Sequence, residues 1–496
     1  MLWVALELPA LPLQIVEQGG VCSVPLVVSE GSAQRSVVAC MNAAAKDAGI
    51  REGQAVAAAK ALAGELRIVA RDPAIEREAV ERLAAWATQF TPISCIDGQG
   101  VVLEVASTLR LFDGHAKLAA AIRKGVRELG FHASLGIAPT PLAARTIARA
   151  AVRGLQVRSC LAPEDLVERL SDLPLFLFDW PGKTLAQLAD LGILRIRDAL
   201  ALSQEGLARR FGSGTATFLD RLLGRLPDPR TPYVAPPRFR SRLELPAEAD
   251  GVEALLFALR RMLAEFEGAM RGRGAGVQRL LLSLEHGRKA RTRVPLEFSS
   301  TEREAEFILA IAREKLGRLT LSAPTRALEL RAEALLAYVP RESTWLPGAK
   351  EQAVDRGRLM ERLAARLGRQ RVFGIAVAED HRPEKNWGSD PFSRGAEQKQ
   401  KRAPSCSCPR EKGSDPKLRP AWLLHRPQKL IVEGDAPQLQ GGLEMLAGPE
   451  RIEAGWWDGE EVSRDYYVAA NPQGETFWVF REHHGAQAWY LHGVFA

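Results

Sequence analysis

At 496 residues, with 46% apolar and 26% charged side chains, the chain is too long for one ordinary hydrophobic core and too apolar to be disordered throughout, so several folded domains are expected. No apolar run approaches the ~20 residues of a membrane helix, Met1 to Glu7 lack the basic flank of an export signal, and six scattered cysteines make no disulfide framework. A cytoplasmic protein with reduced thiols is expected, and the net charge of +7 suits an anionic partner such as nucleic acid.

The first elements alternate. A strand from Leu2 to Leu8 is closed by Pro9 and Pro12, and a second apolar strand surrounds Pro25-Leu26-Val27-Val28. Val37-Val38-Ala39-Cys40 leads into an alanine-rich helix from Asn42 to Ala48, and Glu76 to Phe90 has the spacing of an amphipathic helix. Val101 to Val105 reads as a strand, Ala116 to Leu129 as a helix ended by Gly130, and Ala133 to Ile137 as a strand before the helix Leu142 to Ala151. The pattern is that of a mixed α/β domain over residues 1–165.

From Leu166 to about Leu226 the pattern is wholly helical, within a unit bounded at 166–232. Asp179-Trp180-Pro181-Gly182-Lys183-Thr184-Leu185 fits a helix-hairpin-helix, in which Gly182 would let backbone N–H groups approach a DNA phosphate and Lys183 would add charge. The same letters also suit an ordinary helical turn with a solvent lysine. Pro227, Pro229, Pro232, Pro236 and Pro237 then mark a stiff, extended linker. In Arg238-Phe239-Arg240-Ser241-Arg242-Leu243 the period of two places Arg238, Arg240 and Arg242 on one face of a strand, a surface for a sugar-phosphate backbone or simply the polar side of an amphipathic strand. A helix from Glu253 to Met270, strands Arg279 to Glu285 and Thr292 to Phe298, a helix from Glu302 to Leu316 and a strand around Leu328 complete a β-α-β-β-α-β unit over 236–340, which predicts a ferredoxin-like fold.

Residues 341–380 carry the amphipathic helix Arg358 to Leu367. Residues 381–430 hold twelve Lys/Arg against five Asp/Glu, an excess equal to the whole net charge, together with seven prolines, and read as a disordered basic linker. Cys406-Ser407-Cys408 has no second pair of thiols, so no metal site is expected. Residues 431–496 alternate like a small, aromatic-rich β module. Trp456, Trp457, Tyr466, Tyr467, Trp489 and Tyr490 suit either its core or a partner surface.

The order of these elements resembles the Y-family translesion DNA polymerases: palm with inserted fingers at about 30–80, helical thumb, and little finger, over two thirds of the chain. Gly448-Pro449-Glu450-Arg451-Ile452-Glu453-Ala454-Gly455-Trp456-Trp457, Arg464-Asp465-Tyr466-Tyr467 and Trp489-Tyr490-Leu491-His492-Gly493 resemble the narrower ImuB family of polymerase-like mutagenesis subunits. Two-metal phosphoryl transfer needs clustered carboxylates. By resemblance Glu7 stands at the family's first acid, but counting back from Leu103-Glu104-Val105 puts Gln99 and Gly100 at its Asp-Glu pair, with Asp97 as the fallback acid. The family's tyrosine and arginine of the triphosphate pocket fall at Ala43 and Lys46, and Thr140-Pro141 replaces its Asn-Lys, so that Pro141 removes a phosphate-facing cation.

The resemblance therefore implies a non-catalytic adaptor in SOS-induced error-prone synthesis, without a cofactor. It would bind damaged or primer-template DNA, the sliding clamp, a DnaE-type polymerase (ImuC) and the RecA-like ImuA. Trp345 and Leu346 are the candidate clamp anchors, with Asp172 to Phe176 as the second site. The alternative is an active Mg²⁺-dependent polymerase using Glu7, Asp97 and Glu104. A third reading is a DNA-binding protein outside any polymerase complex.

Overall fold

Alternation along the first strand sets the plan of the palm: Val4 and Leu6 pack into one apolar cluster, and Trp3 and Ala5 into another on the opposite face. The computed structural model describes residues 1–18, 23–32, 35–287, 289–321, 323–340, 349–391 and 419–495, and it forms two units, Met1–Arg366 and Leu367–Ala496. Trp345, Leu346, Cys406 and Cys408 lie outside the described residues.

In chain order the first domain runs β1 (Trp3–Glu7), α1 (Leu11–Glu17), β2 (Leu26–Glu30), β3 (Val37–Met41), α2 (Ala43–Asp47), α3 (Val56–Leu62), β4 (Arg67–Ala70) and α4 (Pro73–Ala87). It continues through β5 (Ile93–Asp97), β6 (Gly100–Glu104), α5 (His115–Glu128), β7 (Ser134–Ala138) and α6 (Pro141–Val152). The palm sheet has the order β5-β6-β1-β7 and is antiparallel throughout. Helices α4 and α5 cover one face through Leu83, Leu118 and Ile122, and α6 covers the other through Ala144 and Ile147. The inserted fingers form a separate sheet, β3-β2-β4, over a small core of Val27, Val38, Ile50 and Val56.

Two readings change here. Pro12 does not end a strand but sits in the first turn of α1, where its missing N–H costs nothing. Helix α4 begins at Pro73 rather than Glu76, because the Asp72 side chain accepts from the Ala74 and Ile75 N–H groups as its N-cap.

The thumb comprises α7 (Leu166–Leu170), α8 (Gly182–Asp190), α9 (Ile196–Leu200), α10 (Gln204–Phe211) and α11 (Ser213–Leu222), and its leucines share one apolar cluster with α6 and β1. The prolines after it do form an extended segment, but not a free one: the Tyr233 N–H donates to the Ser94 carbonyl at 2.7 Å.

The little finger has the expected β-α-β-β-α-β order: β8 (Phe239–Ala249), α12 (Val252–Gly272), β9 (Ala275–His286), β10 (Lys289–Glu302), α13 (Ala305–Leu316) and β11 (Thr325–Ala332). Its strands lie in the order β10-β9-β11-β8, a split β-α-β plan with the first and third strands at the edges. A two-residue strand β12 (Leu336–Ala337) adds to β9. Gly268 of α12 faces Trp86 of α4 so closely that a Cβ there would collide with the indole, which fixes this domain against the palm by a close helix crossing. Helix α14 (Ala349–Leu367) is held to the little finger by Arg358, whose guanidinium meets Glu302 at 2.7 Å and Glu304 at 2.9 Å.

In the second unit β13 (Phe373–Val377) pairs with β14 (Trp387–Pro391). There follow β15 (Trp422–Lys429), β16 (Ile431–Glu433), β17 (Ala436–Gln438), β18 (Glu444–Ala454), β19 (Val462–Ala470), β20 (Thr476–Glu482) and β21 (Trp489–Val494). The main sheet has the order β15-β21-β20-β19-β18.

The basic stretch 381–430 is not uniformly a disordered linker. Residues 381–391 and 419–430 are folded, and Arg382 is 2% exposed between Asp380 and Asp458, which its Nη2 meets at 2.6 and 2.7 Å. Local composition misses this because one of the two balancing acids, Asp458, lies more than 70 residues away.

Candidate functional site

The register of the palm decides what its acids can do. Asp97, Gly100 and Glu7 are direct neighbours across β5, β6 and β1, so they form one row at the end of the sheet. Directly opposed residues share a face. By alternation with Trp3, Ala5 and Cys95, that face is the one covered by α6. A glycine strand thus separates the two acids, whose backbones stand about 9–10 Å apart at two strand spacings. The glycine is required: a Cβ at Gly100 would collide with the Leu6 carbonyl oxygen, and Glu7 Oε2 is 3.3 Å from the same point.

The gap is filled from α6. Thr140 caps this helix by accepting from the Ala143 N–H, and Pro141 starts it, so Thr140-Pro141 launches the helix that covers the site. Arg145 and Arg149, one turn apart, point at the carboxylate row. Arg145 Nη1 donates to Asp97 Oδ1 at 2.6 Å, its Nε is 3.7 Å from Glu7 Oε2, and its Nη2 is 3.0 Å from Asp179. Arg149 Nε donates to Glu7 Oε1 at 3.2 Å, and its Nη1 is 2.8 Å from Asp179. From the linker, Arg230 Nη1 donates to Asp97 Oδ2 at 2.7 Å and its Nη2 to Asp228 at 2.7 Å.

The side chains of Glu7, Asp97, Arg145, Arg149 and Arg230 are all less than 20% exposed. Burial opposes the charged forms, but the partners outweigh it. Asp179 is held below the usual carboxylate range by Arg149 and Arg145, and Arg149 and Arg230 are held above the ordinary guanidinium value by their carboxylates.

Each position read from the sequence has a definite place. Gln99 sits in the two-residue turn after Asp97 and donates from Nε2 to Glu76 at 3.0 Å; Glu76 in turn holds Arg71, which reaches Glu30 in the fingers. Glu104 is not part of this site: it pairs with Trp3 at the far end of β1 and accepts from the Leu2 and Ala106 N–H groups. Ala43 and Lys46 are exposed on α2. Gly182 and Lys183 are exposed at the start of α8, and a Cβ at Gly182 would meet open space.

Arg240 and Arg242 lie on the outer face of β8 and Arg238 immediately precedes the strand; each is paired with a carboxylate: Glu333 with Arg238 at 3.7 Å, Glu329 with Arg240 at 2.6 Å and Glu285 with Arg242 at 3.1 Å. Of the second clamp candidate, Leu173 and Leu175 are buried in the thumb and Phe176 is exposed, while Asp172 pairs with Arg195 and Arg197.

Sequence reading missed Arg145, Arg149 and Arg230. The available signal was two arginines in a helix whose Ala143, Ala144, Ile147, Ala148 and Ala150 are otherwise buried, an arrangement that demands acidic partners. The site does not fit a pair of Mg²⁺ ions. Such ions sit about 3.5–4 Å apart on carboxylates they share, whereas here the central position of the row is glycine and guanidinium groups hold both acids.

The aromatic residues of the second unit divide. Trp456 and Trp457 are exposed, 5.4 Å apart, on the loop that Arg382 pins through Asp458. Tyr466 is buried and stacks on Trp478 at 4.1 Å, while Tyr467, Trp489 and Tyr490 are half-buried against the two faces of the sheet. The Tyr466 hydroxyl lies 2.8 Å from His492 Nδ1, and Glu384 approaches His492 Nε2 at 3.8 Å. Burial takes the His492 imidazole down to about 4, with Glu384 opposing and Arg464 reinforcing it.

The family model described as impB/mucB/samB matches residues 17–149. Protein ImuB of Caulobacter vibrioides is 27% identical over 478 residues, covering 90% of this chain and all of that protein. DNA polymerase IV of Yersinia enterocolitica is 27% identical over 192 residues, covering 38% of this chain and 54% of that protein. Among solved structures, DinB from Sulfolobus solfataricus is 18% identical, with a TM-score of 0.39 over 68% of this chain and 99% of that one.

Two outcomes follow from the geometry. Gly100→Glu should restore no polymerase activity and should lower stability by about 1–3 kcal/mol in urea unfolding; a variant as stable as the wild type would show that the row has room for a third acid. For His492, the folded value lies below the unfolded one of about 6.5, so its contribution is complete above pH 6.5 and is lost as pH falls toward 4. Unfolding followed by tryptophan fluorescence should therefore weaken across that window, and less so in His492→Gln; equal slopes for the two proteins would contradict the assignment.

Proposed function

We propose that the chain, which is similar to Protein ImuB over 90% of its length and matches the impB/mucB/samB family model over residues 17–149, serves DNA-damage tolerance as a non-catalytic adaptor in SOS-induced, error-prone translesion synthesis. It binds primer-template DNA without extending it, and it links the sliding clamp, a DnaE-type polymerase (ImuC) and ImuA. The observation that carries this reading is Arg145, which lies between the two surviving acids and engages both. Catalysis would need those carboxylates free to hold cations that activate a primer hydroxyl and stabilise the leaving pyrophosphate. Retention of thumb and little finger beside such a palm supports a role in binding.

Among the described residues, exposure supports the DNA-facing and protein-facing assignments, and the clamp assignment rests on the sequence. Gly182 and Lys183 of the thumb and Arg238, Arg240 and Arg242 of the little finger form the DNA-facing set, the arginines exchanging carboxylate partners for phosphates. Trp456 and Trp457 face a protein partner, because exposed tryptophans on a pinned loop make good anchors. Trp345 and Leu346 are the clamp peptide.

With Mg²⁺ or Mn²⁺ and all four nucleotides, the purified chain should leave a primer unextended while binding the duplex. Affinity should fall roughly ten- to a hundredfold as salt rises from about 50 to 200 mM. Extension that disappears in Asp97→Ala would overturn the adaptor reading in favour of an active polymerase. In a pull-down, Trp345→Ala with Leu346→Ala should lose the clamp and keep DNA; a clamp still bound would move the contact to Phe176.

A further inference from the structure

The converted palm is more than an active site with parts missing. Glu7 and Asp97 remain on one face, mostly buried, across a strand that begins with glycine. Two half-buried carboxylates without counter-charge are costly, and in a two-metal enzyme divalent cations supply that charge. Here positive charge comes from the chain itself. We infer that Arg145, flanked by Arg149, is a built-in counter-ion standing in the place of a divalent cation, so that the site excludes metal and ties the thumb to the palm through Asp179.

Three independent features carry this. The guanidinium fork of Arg145 spans the row, with one nitrogen on Asp97, one beside Glu7 and one on Asp179 at the head of the thumb. The backbone makes room for it: Gly98 has φ of 64°, and a Cβ there would stand 2.8 Å from Arg145 Nη2, so a side chain at that position would push against the guanidinium. Most of the negative charge of the cluster is also met internally, with Arg145, Arg149 and Arg230 set against the four carboxylates of Glu7, Asp97, Asp179 and Asp228. A divalent ion entering it would meet three cations already in contact with the oxygens it needs. A planar guanidinium satisfies two carboxylate edges directionally, whereas Mg²⁺ demands octahedral oxygen ligands.

This inference deepens the adaptor reading and rests on it, and its test uses Mn²⁺ alone with the full-length chain. Mn²⁺ binding, counted by loss of the free-ion electron paramagnetic resonance signal, and thermal unfolding are compared for wild type, Arg145→Ala and Arg145→Gln. Both variants should unfold at lower temperature and bind Mn²⁺ at least about tenfold more tightly than the wild type. Mn²⁺ should raise their melting temperature where NaCl of equal ionic strength does not, and both gains should vanish when Glu7→Gln is added. Arg145→Gln keeps a polar side chain and less of a cavity if the alanine variant does not fold. The counter-ion assignment falls if the wild type binds Mn²⁺ in a Glu7-dependent way, or if neither variant gains affinity. Primer extension by the wild type, measured separately, would defeat the adaptor reading instead.

Discussion

The guanidinium of Arg145, set between Glu7 and Asp97 with Asp179 on its third nitrogen, is the contact on which the first unit depends. Through it the central palm strand, the hairpin beside it, the covering helix and the head of the thumb meet in one cluster. Arg230 brings in the segment leaving the thumb, and Gln99 reaches by way of Glu76 and Arg71 to the fingers. Opening such a buried network by removing one partner leaves uncompensated charge and costs on the order of 3–5 kcal/mol. The acids at the end of the palm sheet therefore hold the domains in register.

Much of this was legible in the sequence, for physical reasons that can be named. The palm strands, α12 and the β-α-β-β-α-β order of the little finger carry periodic burial that survives any tertiary context, because each is half-buried on a regular face. That Gly100 offers no carboxylate was legible too, and the structure places it between Glu7 and Asp97. The guanidinium groups that hold those two acids were not. Asp97 lies 48 residues from Arg145 and 133 from Arg230, and only the fold brings them together. Glu104 resembled a site residue by chemistry, yet it stands four residues up its strand from the row and serves two backbone N–H groups.

The same principle governs the second unit. Arg382 and Lys385 counted as linker charge in the sequence, but both are consumed by Asp458, which pins the loop bearing Trp456 and Trp457. The aromatic-rich tail resolves into a stacked core of Tyr466, Trp478 and His492 and an exposed tryptophan pair, so core and surface roles fall to different residues of one motif. In the little finger, too, basic residues work against nearby acids: buried Glu329 holds Arg240, Arg291 and Arg331 together.

The central claim is that the palm supplies its own cation. Crystals of the chain on a primer-template duplex, grown with Mn²⁺ and a non-hydrolysable nucleotide, would test it through anomalous scattering. The account predicts no manganese peak between Glu7 and Asp97 and an Arg145 side chain still bridging them. A peak there, with Arg145 swung aside and the nucleotide in line with the primer terminus, would contradict it.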